Sequence, residues 1–242
     1  MTAPKPALPL SPRARPVGAP APEIERYYDA EARSYDGARF GTSYGRYLDR
    51  QERAILRAWL PRAGRVLELG CGTGRLLDLA TDGLDRSAEM LAVARAKRPG
   101  RRLARGLAWC APFPDGLFDA AFAMHVFMHL ARSEIAATLD EARRLVRPGG
   151  TFVFDVPSAP RRALTRYQPR SWRCASALHP EELPALCAGW TIRGLRGVLA
   201  FPVHRLPERL RPIARPLDTI VGRSPLRRWC SYYVVKLERS AP

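Results

Sequence analysis

Apolar residues along this chain fall into short dense runs, with longer stretches of helical periodicity between them. Arg65 to Leu69 reads as a short buried strand closed by glycines, Phe118 to Met124 as a second, and Thr151 to Val156 as a third. Ser87 to Lys97 reads as a helix, with Ser87 as N-cap and Pro99-Gly100 as its stop. Glu134 to Val146 carries Ile135, Leu139, Ala142 and Leu145 at helical spacing and ends at Pro148-Gly149-Gly150. Upstream, Tyr47, Leu48, Ile55, Leu56 and Trp59 form a helix face that ends at Pro61. Downstream, Pro180 to Cys187 reads as helical, Thr191 to Pro202 as strand-like, and Tyr232 to Glu238 as a closing strand. Strands alternating with helices at this spacing imply βαβ units. The expected fold is doubly wound α/β, with a mostly parallel sheet, helices on both faces, an antiparallel closing strand and an N-terminal helical flap.

Length and composition sharpen the organisation. The chain has 242 residues, 46% of them hydrophobic, enough to bury a full core. No apolar run approaches the roughly 18 residues of a membrane span. Residues 1–22 hold seven prolines among small residues and read as a disordered tail. The remainder, 23–242, divides into a flap (23–62), a core (64–156) and a basic C-terminal portion (157–242). Cys71, Cys110, Cys174, Cys187 and Cys230 are odd in number and never spaced C-x-x-C, which predicts reduced thiols, no zinc site and a soluble cytoplasmic protein.

The formal net charge is +17, and all but three of the 40 cationic residues are arginine. A general arginine preference on a solvated surface accounts for this, and attraction to anionic substrates, membranes or nucleic acid is the functional alternative. From residue 161 onward 15 arginines and one lysine face five acids, so the excess concentrates in the last third.

The most informative stretch is Val66-Leu67-Glu68-Leu69-Gly70-Cys71-Gly72-Thr73-Gly74. A strand ends near an acid, and three alternating glycines then allow a tight turn and close approach to a ligand. The dinucleotide fingerprint needs G-x-G-x-x-G and an acid about 20 residues on. Here the spacing is G-x-G-x-G, and Asp85 follows Gly74 by only 11. A phosphate-binding P-loop needs G-K-[ST], whereas Arg75 follows Gly74. Both phosphate-binding readings fail.

The chain resembles the class I, Rossmann-like methyltransferases that use S-adenosyl-L-methionine, in particular the small-molecule branch with ubiquinone and menaquinone methyltransferases. Four ordered strings carry the resemblance: Glu68 to Gly74, Asp85-Arg86-Ser87-Ala88-Glu89-Met90-Leu91, Ala111 to Asp119, and Leu145 to Gly150. The resemblance implies that Glu68, Gly70, Cys71, Gly72, Gly74, Asp85, Arg86, Leu107, Ala108 and Met124 surround the cofactor. The Gly70–Gly74 backbone would hold its methionine part, Glu68 would orient that loop, and Asp85 would take the ribose hydroxyls. Asp82 is the alternative ribose ligand. Two departures stand out. The short Gly74–Asp85 interval requires a short first helix and second strand, and Leu107-Ala108-Trp109 replaces the acid that relatives turn toward adenine.

Methyl transfer asks an enzyme to align nucleophile and methyl group and to exclude water, and an oxygen nucleophile also needs a base. His125, first beyond the strand end, is the candidate base, with a packed histidine as the alternative. His129 reads as structural, and His179 and His204 are further candidates from the C-terminal part. Tyr27, Tyr28, Tyr35, Arg39, Tyr44 and Tyr47 form an aromatic-basic flap that either closes over the cofactor or packs on the sheet. Residues 204–228 interleave Leu206, Leu210, Ile213, Leu217, Ile220 and Val221 with arginines, a pattern suited to an anionic membrane surface or to a lid. The expected function is methyl transfer to a small-molecule acceptor, lipophilic or anionic, without a metal. The alternatives are a nucleic-acid methyltransferase and an inactive binding module. The D/N-P-P-aromatic motif of base-amino enzymes is replaced here by Ala123-Met124-His125-Val126.

Overall fold

The computed structural model describes residues 21–169 and 171–240, so the proline-rich segment 1–20 lies outside the described residues. Ala21 and Pro22, expected in that tail, instead open the first helix, where a proline lacking N–H costs nothing. Three helices come first: α1 (Ala21–Glu31), α2 (Tyr35–Phe40) and α3 (Ser43–Trp59). They are followed by β1 (Val66–Leu69), β2 (Asp82–Asp85), α4 (Ala88–Lys97), β3 (Arg102–Arg105), β4 (Phe118–Ala123), α5 (Arg132–Leu145) and β5 (Val146–Pro157). The chain closes with α6 (Ala159–Thr165), α7 (Leu183–Leu186), β6 (Trp190–Val198), α8 (Arg211–Arg223) and β7 (Tyr232–Arg239).

The seven strands form one sheet in the order β3-β2-β1-β4-β5-β7-β6. Strands β1 to β5 pair in parallel, and β7 runs antiparallel to both of its neighbours. The chain leaves β1 outward through β2 and β3, then returns to β4 on its other side. Strand order therefore reverses between β1 and β4, the place where such sheets open a ligand crevice at the strands' carboxyl ends. Side chains alternate across the sheet to build a core on each face. Phe118, Phe152, Phe154, Tyr233 and Val235 pack with Ile135, Leu139 and Leu145 of α5. On the other face Val66, Phe122, Val153 and Val234 pack with Tyr47, Leu48, Ile55 and Leu56 of α3.

Two expectations about local structure change. The interval from Gly74 to β2 forms turns rather than a short helix, with Leu79 N–H donating to Leu76 O. A helix rising about 1.5 Å per residue could not return the chain along the sheet in the seven residues 75–81 with both connections included. Strand β3 was not anticipated. It is an edge strand with Arg102 and Arg105 exposed, so it lacks the apolar run that marks a buried strand.

Candidate functional site

The cradle follows β1. Gly70, Gly72 and Gly74 all have positive φ, at 71°, 51° and 76°. A side chain at Gly70 would collide with Val126 beyond β4, so this glycine lets two strand ends close on each other. At Gly72 an added Cβ would meet nothing nearer than Met90 Sδ at 4.0 Å. Space left open above a left-handed glycine is room for a ligand. The loop is held from beneath: Gly70 and Cys71 N–H donate to Leu84 O, and Gly72 N–H donates to Asp85 Oδ2 at 2.7 Å.

Asp85 ends β2, and its other oxygen accepts from Ser87 N–H at 2.9 Å. A carboxylate offers about four lone-pair positions, so acceptor capacity remains for a ligand beyond the backbone donors. Burial raises the Asp85 pKa, opposed by the Ser87, Gly72 and Arg86 backbone donors. Asp82, the alternative ribose ligand, is fully buried and forked by Arg65 at 2.7 Å and Arg102 at 2.8 Å. Despite burial, those arginines and Thr81 hold its pKa far below the usual carboxylate range. Its oxygens are spent on structure.

Glu68 is buried, Oε2 has no hydrogen-bond partner, and burial raises its pKa well above the ordinary value. No hydrogen bond ties it to the glycine loop among the described residues, so the expected loop-orienting role is replaced by a carboxyl facing the cavity. An unpaired buried acid is costly unless something supplies a donor. Glu68, Gly70, Cys71, Gly72, Asp85, Arg86, Leu107, Ala108, Trp109 and Met124 line one cavity. Gly74 does not line it; its Cβ position faces Leu77 and Ala94, where the turn packs on α4.

The flap covers this cavity. Ile24, Tyr28, Tyr35 and Phe40 line it from above, and Thr73 Oγ1 donates to Asp36 Oδ1 at 2.6 Å to tie α2 to the loop. Tyr47 instead turns inward and donates to Asp218 at 2.8 Å. A second cavity, open to solvent, adjoins the first. It is walled by Tyr28, Tyr35, Phe40, Tyr44 and Tyr232, with Arg39, Arg166 and Arg173 around it. His125 and His129 line both cavities.

His125 has φ of 61°, a left-handed conformation uncommon for a residue with a Cβ. Its N–H donates to Asp155 Oδ1 at 2.6 Å, which holds the turn. Nε2 lies 2.6 Å from Glu52 Oε1 without the alignment of a formed hydrogen bond, and Nδ1 lies 3.5 Å from Asp155 Oδ2. Glu52 also pairs with Arg75 at 2.8 Å. Burial pushes the His125 pKa down, but Glu52 and Asp155 outweigh it and the net shift is upward. Burial raises Asp155 to about 6 against the pull of His125. For Glu52 burial is overcome by His125 and Arg75, and its pKa falls. The three groups present ligand atoms within 4.8 Å of one another, as a metal site does. A cation there would have to displace the His125 proton and compete with Arg75 for Glu52.

The remaining histidines stand apart. His129 accepts Cys174 N–H at Nδ1, and its Nε2 meets Tyr28 OH at 2.9 Å. Burial, aided by His125 and Arg39, lowers its pKa to about 3, so it stays neutral and bridges flap to loop. His179 is exposed ahead of α7, and His204 packs against Tyr44 with ring centroids 4.9 Å apart. Neither lines the cavities. Sequence reasoning missed Glu52 and Asp155. The available signal was an acid inside an apolar stripe, Leu48-Glu52-Ile55-Leu56, and another inside an apolar strand, Phe152-Val153-Phe154-Asp155-Val156.

A crevice at the β1/β4 reversal, with a left-handed glycine turn on one side and a carboxylate ending β2 on the other, defines a nucleoside-binding α/β protein of the Rossmann type. Comparison with known proteins specifies it. The methyltransferase-domain family matches residues 67–154. A demethylmenaquinone methyltransferase from Beutenbergia cavernae is 37% identical over 146 residues, covering 57% of this chain and 59% of that protein. A phosphatidylethanolamine N-methyltransferase from Cereibacter sphaeroides is 36% identical over 138 residues, covering 52% of this chain and 67% of that protein. The chain thus spans little more than half to two thirds of these curated relatives. Among solved structures, a possible histamine N-methyltransferase from Thermotoga maritima shares the fold, with TM-score 0.66 and 18% identity, over 90% of this chain and all of that one. The chain belongs to the class I S-adenosyl-L-methionine-dependent methyltransferases.

Proposed function

We propose that this protein transfers a methyl group from S-adenosyl-L-methionine to a small-molecule acceptor, lipophilic or anionic, bound in the second cavity. The observation that carries the reading is His125 at the junction of the two cavities, backed by carboxylates on both sides. When bound, the cofactor supplies an electrophilic methyl group on a sulfonium. The residues around the first cavity suit it. Glu68 offers an unpaired acceptor for an ammonium, the remaining acceptor capacity of Asp85 suits ribose hydroxyls, and Gly72 leaves room for close approach. Leu107, Ala108 and Trp109 offer apolar contact to a base. Cys71, Arg86 and Met124 complete the lining.

His125 acts as the base toward an acceptor hydroxyl. In the neutral ring the proton sits on Nε2 beside Glu52, and Nδ1, held less closely, accepts the acceptor's proton. Glu52 and Asp155 then stabilise the imidazolium that forms, so they are positioning residues for His125. Tyr28, Tyr35 and Phe40 exclude water from above, and Arg39, Arg166 and Arg173 favour an anionic acceptor. On this reading 23–62 is the covering flap, 64–156 the cofactor core and 157–242 the acceptor side. Peripheral contact with an anionic membrane surface belongs to the same proposal, since the basic excess lies in that last portion. A described helix long and apolar enough to cross a membrane is absent.

The test is incubation with methyl-labelled S-adenosyl-L-methionine and cell extract, followed by separation into organic-extractable, nucleic-acid and protein fractions. Label is expected in the organic fraction, lost with Asp85→Ala and much reduced with His125→Gln. Label in nucleic acid would overturn the acceptor class and make the net charge of +17 the leading observation. Turnover unchanged in His125→Gln would remove the base.

A further inference from the structure

Helix α8 is packed with its apolar face outward. Ile213, Leu217 and Ile220 follow i, i+4, i+7 spacing and share one face, yet they are 76%, 54% and 62% exposed. The buried residues of this helix are Asp218 and Gly222. A surface helix in a globular core ordinarily does the reverse.

The rotation is fixed rather than free. Asp218 accepts from Tyr47 OH at 2.8 Å, Gln51 Nε2 at 2.6 Å and Phe201 N–H at 2.7 Å. At Gly222 a Cβ would collide with the Gly197 carbonyl of β6, so helix and strand backbones touch there. Turning the apolar face inward would strip a buried carboxylate of three donors, which is among the costliest changes a protein interior can suffer. Beyond α8 the turn Pro225–Trp229 extends the patch with Leu226 at 57% and Trp229 at 41% exposure. Arg209, Arg223 and Arg228 are exposed beside it, and Asp218, buried, is the one acid in 209–229.

We propose that α8 and the turn after it form a docking face for an anionic bilayer. Ile213, Leu217, Ile220, Leu226 and Trp229 enter the boundary between headgroups and acyl chains, and the arginines meet lipid phosphates. Charge complementarity selects this occupant. An apolar face with a mainly cationic rim, in which Arg228 also meets Glu181 at 3.4 Å, matches an apolar interior beneath an anionic surface. A second copy of the chain would bring the same positive rim against itself. The inference rests on the proposed acceptor reading only for its purpose, delivery of a bilayer-dissolved acceptor, and docking is measured without turnover.

The experiment is co-sedimentation of the full chain with phosphatidylcholine vesicles, with and without phosphatidylglycerol, at low and high salt. The variant carries Ile213→Ser, Leu217→Ser and Ile220→Ser, and melting temperature and S-adenosylhomocysteine affinity are read in parallel. Binding is expected on the anionic vesicles, falling with salt. In the variant it should weaken by at least ~tenfold at unchanged melting and nucleoside affinity. Absence of binding to anionic vesicles at low salt would overturn the proposal. So would equal binding by the variant, or a dimer seen by light scattering that the variant dissociates in place of any vesicle binding. Vesicle binding with no nucleoside affinity would leave docking standing and sink the methyltransferase reading instead.

Discussion

Replacing Asp85 by asparagine removes the negative charge at the end of β2 and keeps nearly the same shape. The carboxylate accepts Gly72 N–H at 2.7 Å on one oxygen and Ser87 N–H at 2.9 Å on the other. An amide can keep one of these bonds, but its NH2 then points at the other donor. Losing one hydrogen bond to a charged acceptor costs about 1.5–3 kcal/mol, tolerable for a domain with ~5–15 kcal/mol of stability. The same charge is proposed to accept two hydroxyls of the cofactor. Losing one such bond weakens binding by a similar ~1.5–3 kcal/mol, or roughly 10- to 150-fold in Kd. Isothermal titration with S-adenosylhomocysteine reads that term, and thermal melting of the free protein reads the first. Asp82→Asn is the control. It unpairs Arg65 and Arg102 from a fully buried acid, so it should lower the melting temperature while leaving Kd within about threefold, under 1 kcal/mol. A folded Asp85→Asn protein that binds as tightly as the parent would refute the assignment, and loss of affinity confined to Asp82→Asn would transfer the role to that residue.

The other predictions concern the histidine cluster and the glycine turn. Glu52 helps to raise the His125 pKa, and the base works when neutral, so the rate should rise with pH through a limb above 6.5, the ordinary histidine value. Glu52→Gln removes that support, and the limb in a kcat–pH profile should move to lower pH; a limb that stays or moves upward refutes the arrangement. Gly72→Ala places a methyl group in the open space above the turn at a backbone cost of ~1–2 kcal/mol, so titration should show clearly weakened nucleoside binding in a protein that still folds. Treatment with EDTA should leave turnover unchanged, because Arg75 already pairs with Glu52 and the His125 ring occupies the space between Glu52 and Asp155. Loss of activity that added Mg2+ restores would establish a metal at this cluster.

Much of the architecture was legible because it rests on patterns with a single physical reading. Val66–Leu69, Phe118–Ala123 and Tyr232–Arg239 are apolar runs bounded by turns, and each is a strand. Ser87 caps α4 through Met90 N–H, as its position suggested. What escaped was decided by tertiary context. Strand β3 is held by ladder bonds to β2, to which arginine side chains contribute nothing visible in hydropathy. Glu52, His125 and Asp155 come from α3, the turn after β4, and β5, three places whose meeting depends on sheet order. Residues 204–228 were correctly seen as amphipathic, but no periodicity says which face turns inward. Asp218 decides that, by finding Tyr47 and Gln51 on a helix more than 160 positions away.

The places where local rules fail are also the places assigned a function. Glu68 is a buried acid with an unpartnered oxygen, Glu52 and Asp155 are acids set in apolar patterns, His125 carries a left-handed backbone, and α8 shows its apolar face to water. Each lowers the stability of the isolated chain, and each ceases to be a defect once a partner is supplied. A ligand ammonium satisfies Glu68, a transferred proton settles between His125 and its carboxylates, and a bilayer covers Ile213, Leu217 and Ile220. Such violations ordinarily persist where function holds them. If that is so here, the three defects should respond to separate partners. Nucleoside binding should raise the melting temperature without altering vesicle affinity, and anionic vesicles should protect α8 from proteolysis without altering nucleoside affinity. Strong coupling between the two would instead mean that docking reshapes the cavity, through Tyr47 and Gln51 of α3, the helix that also carries Glu52.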